Sequence, residues 1–219
     1  PPWRLGLFVM SANLGNNLDP WLSAYAERAH TLSVSEVRAL FAVVSRPEVV
    51  SLAGGMPYVA ALPKDLLEKS YSSMMEKKGL LAIQYGGGQG DETLRDQVRE
   101  LMALEGIRSS VEDIVMTTGS QHGLELLSGL FIDEGDVVLA EGPSYVGALG
   151  IFRHYQAHVE HVYTDHDGMS PEALEEAIDR LKEAGRTIKF LYLVPNFANP
   201  SGVTLAKERR PRILDICKR

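Results

Sequence analysis

The apolar positions of this chain follow a helical period in its first half and change, after Asp113, to short continuous runs separated by helical stretches. Asp19-Pro20, an N-cap residue followed by proline at the first helical position, predicts a helix running to about His30 behind a loose N-terminal arm. Ser33 and Glu36 have capping-box spacing, and Val34, Val37, Phe41 and Val44 then share one face until Pro47. Val49 to Ala53 reads as an extended piece entering Gly54-Gly55-Met56-Pro57. Pro63 opens a helix through Lys77 that stops at Gly79. Asp91 caps another, whose Leu94, Val98, Leu101 and Leu104 form a stripe suited to packing before Gly106.

Beyond Asp113 the spacing predicts strands at 114–118, 137–140, 159–163 and 188–194. Helices are expected from about 120, from about 144 and over 171–184. Runs such as Val137-Val138-Leu139 and Phe190-Leu191-Tyr192-Leu193-Val194 do not alternate with polar residues, which is how strands covered on both faces read. The fold class is therefore α/β, a mostly parallel sheet flanked by helices. Ser170-Pro171 and Gly185 bracket one of those helices with its start and stop residues. Pro211 falls inside the run from Thr204 to Arg219 and predicts an irregular turn or kink there.

Composition narrows the function. With 22 Lys+Arg against 29 Asp+Glu and a formal charge of -7, a nucleic-acid surface is not expected. One cysteine, Cys217, cannot form a disulfide within the chain; it suits a reducing, cytoplasmic setting and reads as packing on an apolar helix face. No segment is apolar for long enough to span a bilayer, and Leu5 to Met10 falls short of a secretion signal. No metal site is expected. His154, His158 and His161 lack a companion cysteine or acidic residue at ligand spacing, and Asp165-His166-Asp167-Gly168 reads as a turn. Gly86 to Gly90 is not spaced as a dinucleotide loop.

The chemistry concentrates between Ile114 and Leu127, IVMTTGSQHGLELL. A strand, a glycine turn and a helix start aim free backbone N–H groups and the positive end of the helix dipole at one spot, and Ser120 and Gln121 add a hydroxyl and an amide. Such a spot takes an anion. No lysine follows the glycine, so the Walker pattern is absent and a single phosphate monoester fits better than a nucleoside triphosphate. The same Gly and Ser would also serve merely to turn and cap the chain. Further on, Pro195 to Gly202 places Asn199-Pro200-Ser201-Gly202 behind a strand, at the edge where α/β sheets bind ligands.

Taken together, GSQHGL, EGPSYVGAL, VPNFANPSG and QYGGGQGDETLR closely resemble the corresponding stretches of the fold type I pyridoxal-phosphate-dependent aminotransferases. Within that family they resemble the branch holding 2-aminoadipate and kynurenine aminotransferases and the aminotransferase-like halves of certain regulators. The resemblance runs from about Ser51 to the end of the chain. It implies pyridoxal 5'-phosphate as cofactor, amino acid and 2-oxo acid substrates, and a homodimer. It further implies that Ser120 and Gln121 hold the cofactor phosphate and that Tyr145 stacks on the pyridine ring. Asn199 would donate to the phenolic oxygen, Tyr85 would reach the neighbouring subunit's phosphate, and Gly55 would lie beside the substrate.

In the family it resembles, the Schiff-base lysine, the acidic partner of the pyridine nitrogen and the carboxylate-binding arginine follow the Asn-Pro-Ser/Thr-Gly loop. The Schiff-base lysine is therefore expected beyond Arg219, and no catalytic residue is assigned within the chain. The resemblance implies that residues 1–50 form an arm and helices belonging to the small domain. Residues 51–219 would form the N-terminal part of the large, cofactor-binding domain. Lyase or decarboxylase chemistry and a regulator's sensor domain are the alternatives on the same fold. The strand at 114–118 would be separated from the others by strands contributed after the Asn-Pro-Ser-Gly loop. Each buried N–H or C=O left unpaired costs about 1–3 kcal/mol against a total stability of about 5–15 kcal/mol, so residues 1–219 alone are not expected to fold cooperatively. Thermal unfolding of that isolated segment tests this, a cooperative transition of a soluble monomer being the contrary result.

Overall fold

The computed structural model describes Trp21, residues 24–31, Arg46, residues 48–50 and residues 58–219. The expected helix after Ser33 and the Gly54-Gly55 turn, with Gly55 as a substrate neighbour, lie outside these residues; of the first expected helix, a 3-10 turn at Glu27–Thr31 is described. The chain divides into two units, Val34–Thr117, and Pro1–Ser33 with Thr118–Arg219.

In the unit Val34–Thr117, helix α1 (Lys64–Ala82) starts behind Pro63 and is interrupted at Gly79, at φ 42° and ψ -120°, before a last turn that the sequence did not suggest. Helix α2 (Glu92–Leu104) is capped by Asp91, whose Oδ1 accepts the Leu94 N–H at 2.9 Å. Its apolar stripe is a correction: Leu94, Leu101 and Leu104 are exposed. The face that packs is centred on Arg95, whose Nη1 donates to the Val111 carbonyl at 2.9 Å and so fixes the 3-10 turn Val111–Asp113. The glycine-rich run closes on the same region, with Met116 N–H donating to the Gln89 carbonyl at 2.9 Å. A second correction concerns 114–118, which is extended at Ile114 (φ -111°, ψ 126°) but is not a strand, because no neighbouring segment among the described residues pairs along its length.

The other unit is a mixed sheet flanked by helices. Strands β1 (Val137–Gly142), β2 (His158–Asp165), β3 (Gly168–Met169) and β4 (Ile188–Tyr192) lie in the order β3-β2-β1-β4. β1 pairs in parallel with both β2 and β4, whereas β3 turns back antiparallel on β2. β3 escapes sequence reading because only its two residues pair. Helices α3 (Gly119–Phe131), α4 (Val146–His154), α5 (Pro171–Glu183) and α6 (Arg209–Cys217) complete the unit.

The two-residue period of β1 divides the core. Val137 and Leu139 pack with Leu174, Leu181, Ile213 and Ile216 of α5 and α6. Val138 and Ala140 face the opposite way, against Leu149 and Phe152 of α4 and Ile132 after α3. Phe152 is fully buried and meets Phe190 and Tyr192 edge-on at 5.6 and 5.5 Å, a contact that adds about 0.5–1.5 kcal/mol per pair to its area burial.

Pro211 causes neither kink nor irregularity, contrary to expectation. α6 begins at Arg209, so Pro211 lies in the first turn, where an amide has no intrahelical acceptor to lose. Cys217 at its end is exposed rather than packed. Arg209 binds both oxygens of Asp165, at 2.7 and 2.9 Å, and the Gly168 carbonyl at 2.8 Å, holding the Asp165 carboxyl down at about 2. Among the described residues no helix is long and apolar enough to cross a membrane.

Gly168 has φ +93°, and a Cβ there would stand 2.9 Å from the Leu205 Cα. Gly168→Ala should cost about 1–3 kcal/mol in denaturant unfolding of the intact protein. Gly150→Ala, inside α4 with nothing within 4 Å, should be neutral or stabilise by about 0.5–1 kcal/mol.

Candidate functional site

Strand order reverses at β1: the chain moves from β1 to β2 on one side and returns as β4 on the other. In open α/β sheets the crevice outside the carboxyl ends of two such strands binds ligands. The loop leaving β1 carries Tyr145, the loop leaving β4 carries Asn199, and α3, with Ser120 and Gln121, belongs to the same unit.

The structure joins two of the expected residues directly. Tyr145 Oη donates to Gln121 Oε1 at a long 3.4 Å, bringing the ring after β1 to the start of α3. Tyr145 is also the N-cap of α4, and its ring lies over Gly147. At the start of α3 the residue that would ordinarily close the helix is Thr118, yet its hydroxyl makes no cap bond. It is turned to His122, whose Nδ1 lies 2.8 Å away and accepts the Thr118 N–H at 3.2 Å. The helix start is thus not closed by its own N-cap side chain, as an anion site requires.

Asn199 is exposed on a loop whose course is set by its own backbone: Ala198 N–H donates to the Val203 carbonyl at 2.9 Å and Leu205 N–H to the Pro195 carbonyl at 2.9 Å. Arg210, from α6, fastens that loop by donating to Asn196 Oδ1 at 2.8 Å and to the Leu205 carbonyl at 3.1 Å. Tyr85 belongs to the other unit, and its side chain is fully exposed.

Sequence reading overlooked several groups around these residues. Glu141 is buried, 3% exposed, at the end of β1, and its Oε1 accepts the Val194 N–H at 2.9 Å. Ser144, beside Tyr145, is buried with an Oγ that has no hydrogen-bond partner. For Glu141 a signal existed, namely an acidic residue closing an otherwise apolar run; nothing in the sequence marked Ser144. Of the groups considered for metals, His154 lies at the end of α4 while His158 and His161 are exposed on β2. Asp165, His166 and Asp167 do cluster, but Asp165 is engaged by Arg209 and by the Asp167 N–H, as befits a turn.

The family model described as aminotransferase class I and II matches residues 47–219. The chain belongs to that family. An aromatic-amino-acid aminotransferase 1 from Thermococcus litoralis is 35% identical over 193 residues, covering 88% of this chain and 46% of the relative. A 2-aminoadipate transaminase from Thermus thermophilus is 35% identical over 196 residues, covering 90% of this chain and 47% of the relative. The crystal structure of alpha-aminoadipate aminotransferase from Thermus thermophilus, complexed with N-(5'-phosphopyridoxyl)-L-leucine, matches with a TM-score of 0.78 at 33% identity over 92% of this chain and 48% of that one. This class I and II aminotransferase chain thus spans about half the length of the curated relatives it matches. Its fold is that of the pyridoxal-phosphate-dependent aminotransferases.

Gly147 is the neighbour that lets the Tyr145 ring lie where it does, since a Cβ there would overlap its Cζ and stand 2.5 Å from its Oη. Gly147→Ala should displace the Tyr145 ring in a crystal structure of the variant, whereas Tyr145→Phe should leave the ring over Gly147.

Proposed function

We propose that this chain supplies the N-terminal part of the large, cofactor-binding domain of a pyridoxal-phosphate-dependent aminotransferase, with residues 1–50 belonging to its small domain. The enzyme moves an amino group between an amino acid and a 2-oxo acid and works as a homodimer in the cytoplasm. The observation that carries this reading is the joining of Tyr145 to Gln121 at a helix start whose N-cap hydroxyl is turned away.

The residues suit the group they would hold. Ser120 and Gln121 offer side-chain donors, and the start of α3 a positive dipole end, to one phosphate, and no lysine follows the glycine to extend the site toward a triphosphate. The partnerless buried hydroxyl of Ser144 lies in the loop that carries Tyr145, where a bound polar molecule would satisfy it. When bound, pyridoxal phosphate supplies the electron sink for loss of a proton from the amino acid's Cα. Everything else falls to the protein. Tyr145 presents a flat apolar surface to the pyridine ring and fixes its plane. Asn199 donates a hydrogen bond to the phenolic oxygen and favours its anionic form. Tyr85 reaches the phosphate of the neighbouring subunit, and Gly55 leaves room for the substrate. Tyr145 and Asn199 would thus hold the cofactor ring in one orientation, a gain that is largely entropic.

The full-length protein should show cofactor absorbance that shifts when an amino acid is added without a 2-oxo acid. A flat spectrum would overturn the assignment, and product analysis separates amino-group transfer from lyase or decarboxylase chemistry.

A further inference from the structure

Glu141 occupies a costly position. A carboxyl taken out of water loses solvation that a single neutral donor does not restore, and an apolar side chain would pack there at less expense. Burial accordingly pushes its pKa up, offset in part by the Val194 N–H. What distinguishes the position is the sheet around it. The last backbone pair between β1 and β4 is Ala140 with Tyr192, so the ladder ends just before Glu141. Val194, two residues past the end of β4, then donates its amide to the Glu141 side chain at 2.9 Å. The carboxyl therefore supplies one more rung where the backbones have parted and the crevice opens.

On either side of this rung lie the two loops of the candidate site. Glu141 is followed by Gly142-Pro143-Ser144-Tyr145, and Val194 by the loop to Asn199. The β4 loop's other fastenings, through Arg210 and Thr204, run to α6 and to itself rather than to β1. Tyr192, the last residue of β4, has its phenol pKa raised by burial and then by the charge of Glu141 and by Tyr145, so all three groups lie within electrostatic reach at the same strand ends.

We propose that Glu141 is a positioning residue, tying the Tyr145 loop to the Asn199 loop through the Val194 amide and thereby setting the spacing of the two side chains across the crevice. Its acceptor oxygen does this, so an amide in its place keeps the function. The consequence for cofactor binding rests on the aminotransferase reading above; the tie itself does not.

The experiment has two arms on the full-length protein. In the cofactor-free form, amide exchange at Val194 should speed up about tenfold or more in Glu141→Ala, while the buried β1 amides from Val138 to Ala140 keep parental rates; Glu141→Gln should leave Val194 protected. Equal exchange at Val194 in parent and Glu141→Ala, or equal acceleration throughout β1, overturns the tie. In the second arm, titration with pyridoxal phosphate should show binding about tenfold weaker in Glu141→Ala and within about threefold of the parent in Glu141→Gln. If Glu141 acts through the Asn199 loop, Glu141→Ala/Asn199→Ala binds no more weakly than the weaker single variant. Additive losses, or a Glu141→Gln as weak as Glu141→Ala, overturn the positioning role. A parent that binds no pyridoxal phosphate instead defeats the proposed function, and the exchange arm then decides the tie by itself.

Discussion

The structure of the sheet-bearing unit depends on one constraint: β1 is buried on both faces and paired on both edges. Where a strand is so placed, apolar side chains are favoured, and Val137 to Ala140 are accordingly all apolar and almost wholly removed from water. Their alternate sides require two separate apolar surfaces, one from α5 and α6 and one from α4 with the end of α3. The layers of this unit follow from that demand, because each helix must present a stripe to whichever side of β1 it covers.

The same constraint locates the chemistry. A polar side chain enters at the carboxyl end of β1, where the residues change character at once: Glu141, then a glycine and a proline, then Ser144 and Tyr145. Because β4 pairs with β1 on the edge opposite β2, the strand order reverses there, the place where open α/β sheets bind ligands in a crevice between loops. The helix start at Ser120 and Gln121 meets that crevice through the Tyr145 phenol. A phosphate-bearing ring is the kind of ligand such an arrangement suits, since it offers an anion to the helix and a flat face to the aromatic side chain.

Polar fastening elsewhere in the unit holds loops rather than the core. Arg209 reaches Asp165 and two carbonyls beside it, and Arg210 reaches the loop that carries Asn199. Adjacent residues of α6 thus secure different segments, which a helix start allows because its first residues point in different directions. The Asp165 pair is charge-assisted and two-pronged, and its contribution is lost as pH falls from the ordinary carboxylate range toward about 2, where the folded-state carboxyl takes up its proton.

By itself the sequence determined the α/β class, the positions of β1, β2 and β4, the helices between them, the Asp91 and Ser170 caps, and the residues that carry the family likeness. These are local or periodic properties: a cap needs one oxygen and one amide a few residues away, and a doubly covered strand announces itself by an unbroken apolar run. Tertiary structure decided what depends on a partner distant in the chain. Residues 114–118 have the composition of a strand but find no neighbour to pair with along their length among the described residues, and the stripe from Leu94 to Leu104 has the spacing of a packing face while Arg95 makes the contact. Pro211 is harmless because α6 starts two residues before it, a boundary that the local spacing of Thr204 to Arg219 did not mark. Glu141 became visible for the same reason, since an acidic residue at the end of an apolar run acquires a role only when folding brings the Val194 amide to it.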